Sequence, residues 1–426
     1  MKILELLCFP LYGSGSGTYV RKLSARLKSL GHSVAIACPD DRTIPGVKIF
    51  TIKLPFMATF TGHPEHPKAK LYSQISGSEL NDIQSSFMLG IINAVETFQP
   101  DVIHVHHAAN LSWIANYIKA VYQIHYVITS HNTDIINAIL DKRYIPLTQD
   151  ALRRADIVTA VSKDTRGRLL EILGRNIPHL ARKTKVVTCG VDTRNFPFKG
   201  PVDEVNRQYK LDEKQVVLYS GKITSIKGVD IFIKAAAKFP ETKFIIMGHG
   251  DEAARMKDLI KELRIKNIIL TGYLGDKDSR LVSQFYRRAD IVALPSTKSE
   301  GVPLSSLEAM SAGAVVVASN IGGIPTVIKN MKNGILIQPR STSALIKAIQ
   351  LILSNRKLAK RLAEKARRDV VDKFDWRAIA RKMEKYFNIA YERSQKNRIT
   401  KKPSYISEEE YKEKKKFVEA VRRKNL

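Results

Sequence analysis

Apolar runs of strand length recur along this chain, each followed by a polar loop and a stretch of helical periodicity. The first run covers residues 3–8. The loop at 9–17 carries Gly13, Ser14, Gly15, Ser16 and Gly17, and the helical pattern at 18–30 sets Val20, Leu23, Leu27 and Leu30 on one face before Gly31 stops it. A second run follows at 34–38. Strand, glycine loop, helix, strand is the opening of a doubly wound parallel sheet. Further runs stand at 102–105 and 124–129, then at 216–220, 244–247, 268–270, 291–294, 315–317 and 335–337, with helical patterns between them. Such alternation implies parallel sheets, because each strand returns through a helix.

A chain of 426 residues fits two domains rather than one. An internal echo supports two related sheets: Arg153-Arg154-Ala155-Asp156-Ile157-Val158 recurs as Arg287-Arg288-Ala289-Asp290-Ile291-Val292, each copy reading as a helix end that feeds a buried strand. Residues 186–201 read as the crossing between the domains. Residues 55–80 are less regular, and 81–98 read as a helix. His63 and His66 each precede a proline, which marks a loop, and no metal ligand is assigned there or elsewhere. The three cysteines, Cys8, Cys38 and Cys189, are scattered and odd in number, which favours a reducing compartment. The N-terminus lacks the small-residue cleavage site of a signal peptide, and no apolar run is long enough to span a bilayer. The formal net charge is +29, which implies polyanionic partners: nucleic acid, anionic lipid or phosphate-bearing substrates.

The stretch at 295–313 carries the chemistry. The apolar run 291–294 leads into a polar loop and a short helix, with Pro303 suited to the first turn and Gly313 to the C-terminal stop. Glu300 then stands just before a helix N-terminus and Glu308 about one turn inside it. The free amides of a first turn attract anions, and a carboxylate accepts hydrogen bonds from neighbouring hydroxyls such as a ribose diol. A diphosphate joined to sugars on both sides fits this arrangement. Acidic residues also gather at helix N-termini merely because they complement the dipole.

This stretch resembles the Glu-x7-Glu motif of retaining glycosyltransferases of family 4, which have the GT-B fold of two Rossmann-like parallel-sheet domains facing a cleft. The agreement continues from Glu308-Ala309-Met310-Ser311-Ala312-Gly313 through Val315-Val316-Val317-Ala318-Ser319 to Gly322-Gly323-Ile324-Pro325, with Thr326 where the family usually has Glu. Asp101-Val102-Ile103-His104-Val105-His106 resembles the family's Asp-x-x-His-x-His. Thr129-Ser130-His131-Asn132-Thr133-Asp134 resembles its Thr-x-His-x-x-Asp, with Asn132 where Gly is common. The segment from Gly221-Lys222 to Lys227-Gly228 resembles its Gly-Arg-x5-Lys-Gly donor loop, with Lys222 for the usual Arg, a point charge for a bidentate fork. Gly248-His249-Gly250 resembles its Gly-x-Gly turn, and Ser14 replaces the first Gly of its Gly-Gly-x-Gly loop.

The resemblance implies residues 1–195 as an acceptor-side domain, 196–375 as a donor-binding domain, a helix at 376–393 crossing back, and a basic tail at 394–426. It implies that His106, Lys222, Lys227 and Glu300 serve catalysis. Gly15, Gly17, Gly248, Gly250, Gly301, Val302, Pro303, Leu304, Ser305 and Glu308 would bind the donor, and His131 and Asp134 would lie on the acceptor side. The bland readings are a buried, satisfied histidine for His106, a tight turn for the glycine loop and a helix cap for Asp134.

The expected activity is retaining transfer of a hexosyl-type sugar from a UDP-, GDP- or ADP-sugar to a hydroxyl of a glycan, lipid or small molecule. No cofactor or metal beyond the nucleotide-diphosphate sugar is expected. The expected location is the cytoplasm, at the anionic membrane face where the acceptor is lipid-linked, and nucleic acid is not an expected partner. A nucleotide-sugar epimerase shares the fold but not this combination of loops. A dehydrogenase would need an acidic partner to its glycine fingerprint, and a nucleic-acid-binding protein would leave Glu300 and Glu308 unexplained.

Overall fold

The computed structural model of the protein describes residues 1–400 apart from 61, 62, 64 and 299, and leaves the side chains of 276 and 397–400 undescribed. The lysine-rich tail expected to meet a membrane lies, from 401 onward, outside the described residues.

Seven strands build the first sheet: β1 (Lys2–Leu6), β2 (Ser33–Cys38), β3 (Lys48–Thr51), β6 (Val102–His106), β7 (His125–Ser130), β8 (Ile157–Ala160) and β9 (Thr184–Val186). Two short strands, β4 (Ala58–Thr59) and β5 (Lys70–Leu71), pair apart from it in the irregular region. The second sheet holds β10 (Val216–Ser220), β11 (Lys243–Met247), β12 (Ile268–Gly272), β13 (Ile291–Leu294), β14 (Val315–Ser319) and β15 (Ile335–Ile337). The strand orders are β3-β2-β1-β6-β7-β8-β9 and β12-β11-β10-β13-β14-β15, with parallel pairing throughout. Each sheet therefore reverses its direction of growth once, between β1 and β6 and between β10 and β13. Open α/β sheets bind ligands at the carboxyl ends of strands beside such a reversal.

Both faces of the strands are buried, which is why they read as apolar runs rather than alternating patterns. On β10, Val216 and Leu218 join one core while Val217 and Tyr219 join the other. Both echoed segments do feed strands: Arg154 ends the helix Ile145–Arg154 before β8, and Arg288 ends Ser279–Arg288 before β13.

Helix starts depart from expectation where side-chain caps set them ahead of the apolar periodicity. The first helix is Gly15–Ser29, because the Ser14 side chain caps it by accepting from the Gly17 amide at 3.0 Å. Gly15 and Gly17 thus belong to a helical turn and not to a loop. The helix expected at 81–98 is Gly77–Phe98, set back by a reciprocal cap between Ser76 and Glu79. Pro303 is the cap before Leu304–Ala312 rather than a residue of its first turn, with ψ at 125° holding it extended.

The chain crosses between the sheets twice, side by side. The Val191 amide donates to Phe374 O at 2.8 Å, the Trp376 amide donates back to Val191 O at 3.2 Å, and the Thr193 hydroxyl meets Asp375 at 2.7 Å. A Cβ on Gly190 would stand 2.8 Å from the Trp376 ring, so only glycine fits there. The last helix, Trp376–Thr400, packs on the first sheet: Trp376 meets Tyr19 with ring centres 5.2 Å apart, and Phe387 meets His104 at 5.1 Å. It outruns the expected end at 393, and Ser394 is buried with its hydroxyl on Gln123 O. No helix among the described residues is long and apolar enough to cross a membrane.

Candidate active site

The second-domain wall is built from two loops that need each other. The loop after β10, which carries Lys222 and Lys227, ends at Gly228 with φ +67°, and a Cβ there would overlap Pro295 O. The Thr297 amide donates to Ile226 O at 2.8 Å, locking this loop to the one that follows β13. The turn after β11 closes the other side. A Cβ on Gly248 would overlap Gly221 O and one on Gly250 would overlap Ile223 O, while the Ile223 amide donates to His249 O at 3.0 Å. The Gly-x-Gly pattern is therefore demanded by backbone packing before any ligand is considered.

That packing brings Lys227 to Glu300. The Lys227 ammonium pairs with Glu300 Oε2, and the Ser296 hydroxyl donates to Oε1. Lys222 stands exposed on the same loop. Beyond Glu300, Gly301 and Val302 lead to the amides of Leu304 and Ser305, which as first-turn amides have no acceptor within the helix. Glu308 lies one turn further and is half-buried. Burial raises its carboxyl above the ordinary range, against the opposing pull of the Tyr286 hydroxyl and of the Lys22 charge from the first domain. Tyr286 is in turn oriented by a 2.7 Å hydrogen bond to Ser220. Lys227, Glu300, Leu304, Ser305 and Glu308 thus form one continuous wall beside the β10/β13 reversal.

The first-domain wall holds a polar cluster that is mostly sealed. Register sets Glu5 of β1 beside His104 of β6. His106 donates from Nε2 to Glu5 Oε2 at 2.6 Å, and His104 Nδ1 lies 2.6 Å from the same oxygen. His106 Nδ1 and His131 Nε2 are 3.1 Å apart. Glu5, His104 and His106 are fully buried, whereas His131 is only half-buried. The rings of Tyr19, Trp376 and Phe387 close the cluster on the helix side.

Two expectations change here. The resemblance makes His106 a catalytic residue, but both its ring nitrogens are engaged and its side chain is fully buried, whereas its neighbour His131 is half-buried. The resemblance puts Asp134 on the acceptor side, but it is fully buried and its oxygens accept from the Ala108 amide at 2.6 Å and the His131 amide at 3.1 Å. Burial would raise its carboxyl, yet the His107 ring, the Ala108 amide and the Ser130 hydroxyl hold it below the ordinary range. It fixes the loops that present His131. Asn132 takes φ +81°, which accounts for glycine being common at this position in the family.

Gly15 and Gly17 separate in role. A Cβ on Gly17 would collide with Leu11 O, whereas one on Gly15 would meet nothing within 4 Å. Only Gly15 faces open space. Thr326, the departure from the family pattern, lies across the cleft from the first domain, with its hydroxyl 3.5 Å from the Lys163 amide.

Glu5, His104 and His106 form the group of metal-ligand type among the described residues, and the sequence reading missed it because Glu5 is remote from both histidines. Separations of 2.6 Å suit a hydrogen-bonded carboxylate. Two ligand atoms on one zinc-like ion, each about 2.0–2.2 Å from it, would stand farther apart.

Comparison with known proteins agrees with this architecture. Residues 202–369 match the family described as Glycosyl transferases group 1, and residues 13–195 match Glycosyltransferase Family 4. The chain is 25% identical over 409 residues to an uncharacterized glycosyltransferase of Methanocaldococcus jannaschii, which covers 90% of this chain and 96% of that protein. Sucrose-phosphate synthase from Thermosynechococcus elongatus has a similar structure, with a TM-score of 0.74 at 21% identity over 91% of this chain and 98% of that one. The Anabaena protein HepE, solved in complex with UDP, gives a TM-score of 0.69 at 19% identity over 91% and 100%. With both halves matched in order and the two sheets arranged as described, the chain belongs to glycosyltransferase family 4 and has the GT-B fold.

Proposed function

We propose that the protein is a retaining glycosyltransferase that moves a hexosyl-type sugar from a nucleotide-diphosphate sugar to a hydroxyl acceptor. The observation that carries this reading is the continuous wall of Lys227, Glu300, the Leu304–Ser305 amides and Glu308 beside the β10/β13 reversal. Breaking an anomeric C–O bond builds positive charge on the sugar and negative charge on the diphosphate, and preplaced groups lower the barrier to that separation. Lys222, Lys227 and the two amides stabilise the departing diphosphate. Glu308 accepts from the ribose hydroxyls. Glu300 holds the donor sugar, exchanging its present pairing with Lys227 for contacts to substrate. With no enzymatic nucleophile assigned, the acceptor hydroxyl attacks from the face the diphosphate leaves and gives its proton to the departing phosphate oxygen as the anomeric C–O bond breaks, which retains the configuration.

The lysines and the helix N-terminus neutralise the diphosphate in this mechanism without a metal or other cofactor. HepE was solved with UDP, so UDP is the first nucleotide to test. The acceptor is a glycan or a lipid-linked hydroxyl, and the protein works at an anionic membrane surface. The charge of +29 supports that placement, as do the exposed Ile136, Ile139 and Leu140 on the helix Thr133–Leu140 that follows His131. A titration with UDP, GDP and ADP, followed by a screen of the matching sugars for slow hydrolysis, tests the reading. Absence of binding by all three nucleotides would overturn it.

A further inference from the structure

The buried cluster behind His131 has a direction, and Glu5 sets it. An ionised carboxylate can only accept, so His106 must donate from Nε2 across the 2.6 Å contact. A neutral ring with its proton on Nε2 offers a lone pair at Nδ1. The 3.1 Å contact there must then be supplied by a proton on His131 Nε2. That leaves Nδ1 of His131, the half-buried ring, as a lone pair.

We propose that Glu5 is a positioning residue: through His106 it fixes the tautomer of His131, which meets the cleft with Nδ1 as an acceptor for a substrate hydroxyl. The proposal deepens the glycosyltransferase reading and rests on it for the identity of that hydroxyl.

Three observations support it. Glu5 has no route to solvent, being fully buried beneath Tyr19 and the last helix, so its charge is answered by the imidazoles alone. Burial pushes the Glu5 carboxyl up, but the His104 and His106 rings outweigh it and hold it down at about 2. Burial and the neighbouring rings push the other way on the histidines, lowering His106 to about 4 and His131 well below its ordinary value. An anionic Glu5 with neutral His106 and His131 is the charge state that the chain of donors requires. His104 also faces Glu5, with Nδ1 2.6 Å from the same oxygen, but its Nε2 meets the Thr129 hydroxyl at 2.6 Å and so it is not part of the link from His106 to His131. His107 packs 4.8 Å from the His131 ring, and Asp134 accepts from the His131 amide rather than from its ring. The His131 carbonyl also lies 3.8 Å from where a Cβ on Gly301 would stand, which sets this residue against the donor-side wall.

The test is nitrogen-15 spectroscopy of the full chain labelled at histidine, with His131→Asn assigning the signal. Wild-type His131 should carry its proton on Nε2 at neutral pH, and in Glu5→Gln the His106 and His131 signals should move toward averaged tautomers, because an amide can donate as well as accept. In donor hydrolysis Glu5→Gln should lower kcat about tenfold with the donor KM little changed, the loss of one oriented hydrogen bond. A wild-type His131 protonated on Nδ1, an unchanged spectrum in folded Glu5→Gln, or one equivalent of tightly bound metal in the purified protein would each overturn the proposal. Should Glu5→Gln not fold, the wild-type tautomer and metal content still decide. If wild type hydrolyses no donor, the glycosyltransferase reading fails while the spectra judge the relay on their own.

Discussion

Lys227 and Glu300, from different βα units of the second sheet, neutralise each other, and Ser296 holds the second Glu300 oxygen. In the proposed reaction a donor entering between them separates the pair, freeing the lysine for the diphosphate and the carboxylate for the sugar. Lys227→Ala is therefore expected to lower kcat by about a hundredfold while raising the donor KM far less, since the charge matters most as the diphosphate leaves. Steady-state hydrolysis and transfer kinetics check this, and an effect confined to KM would reduce Lys227 to a binding role.

Glu308→Ala should weaken nucleotide diphosphate binding by about 1.5–3 kcal/mol, the usual size of a hydrogen bond to a charged group. Because burial raises the Glu308 carboxyl, wild-type affinity should begin to fall on acidification at a higher pH than an ordinary glutamate would dictate. Isothermal titration at several pH values reads both effects. Equal affinity in the folded variant removes Glu308 from the site.

The glycines divide into structural and functional positions, and alanine substitutions tell them apart. Gly248→Ala should destabilise the fold by about 2 kcal/mol or more, because its Cβ would overlap Gly221 O. Gly15→Ala should leave thermal stability unchanged or slightly raised, since its Cβ meets nothing and alanine suits a helical turn better. The same change should weaken donor binding by filling space in the cleft. A Gly15→Ala protein that binds donor normally would show that the first turn is only a turn.

Stability should fall in acid, and the sign follows from the buried rings. His106 is held down at about 4 against an ordinary 6.5, so between those values the unfolded chain binds more protons than the folded one. Lowering the pH through that window therefore removes stability, about 3 kcal/mol from His106 alone, and the loss is complete below about 4. Glu5, held down at about 2 against 4.5, adds a second loss below 4.5. Denaturant midpoints measured from pH 8 to pH 4 check this; a flat profile between 7 and 5 would mean the cluster is already charged.

The whole chain should sediment with anionic vesicles at low salt, release as salt rises and ignore neutral vesicles. Each basic residue near such a surface contributes about 1 kcal/mol, and the attraction fades within a Debye length. A chain truncated after Thr400, which keeps the buried Ser394, should bind less and still hydrolyse donor. Indifference to both vesicle types would leave a soluble acceptor.

The sequence by itself determined the alternation of strand and helix, the echo that marks two sheets, and the wall that carries Glu300 and Glu308. These are local: an apolar run buried on both faces and a loop before a capped helix lie within a few residues of each other. β13 and β15 were legible to the residue for that reason. The helix starts at Gly15 and Gly77 are local too, but they lie ahead of the apolar periodicity, where the Ser14 and Ser76 caps set them. Only the tertiary structure decided which histidines are enclosed. His106 looked available at the end of its strand, but the register of β1 against β6 sets Glu5 beside His104, and the last helix lays Trp376 and Phe387 over the cluster. Those contacts join residues far apart in the chain, with Glu5 and His106 separated by 101 positions, and no periodicity or spacing encodes them. Burial then does what sequence cannot express: it encloses His106 and Asp134 fully and leaves His131 half-buried.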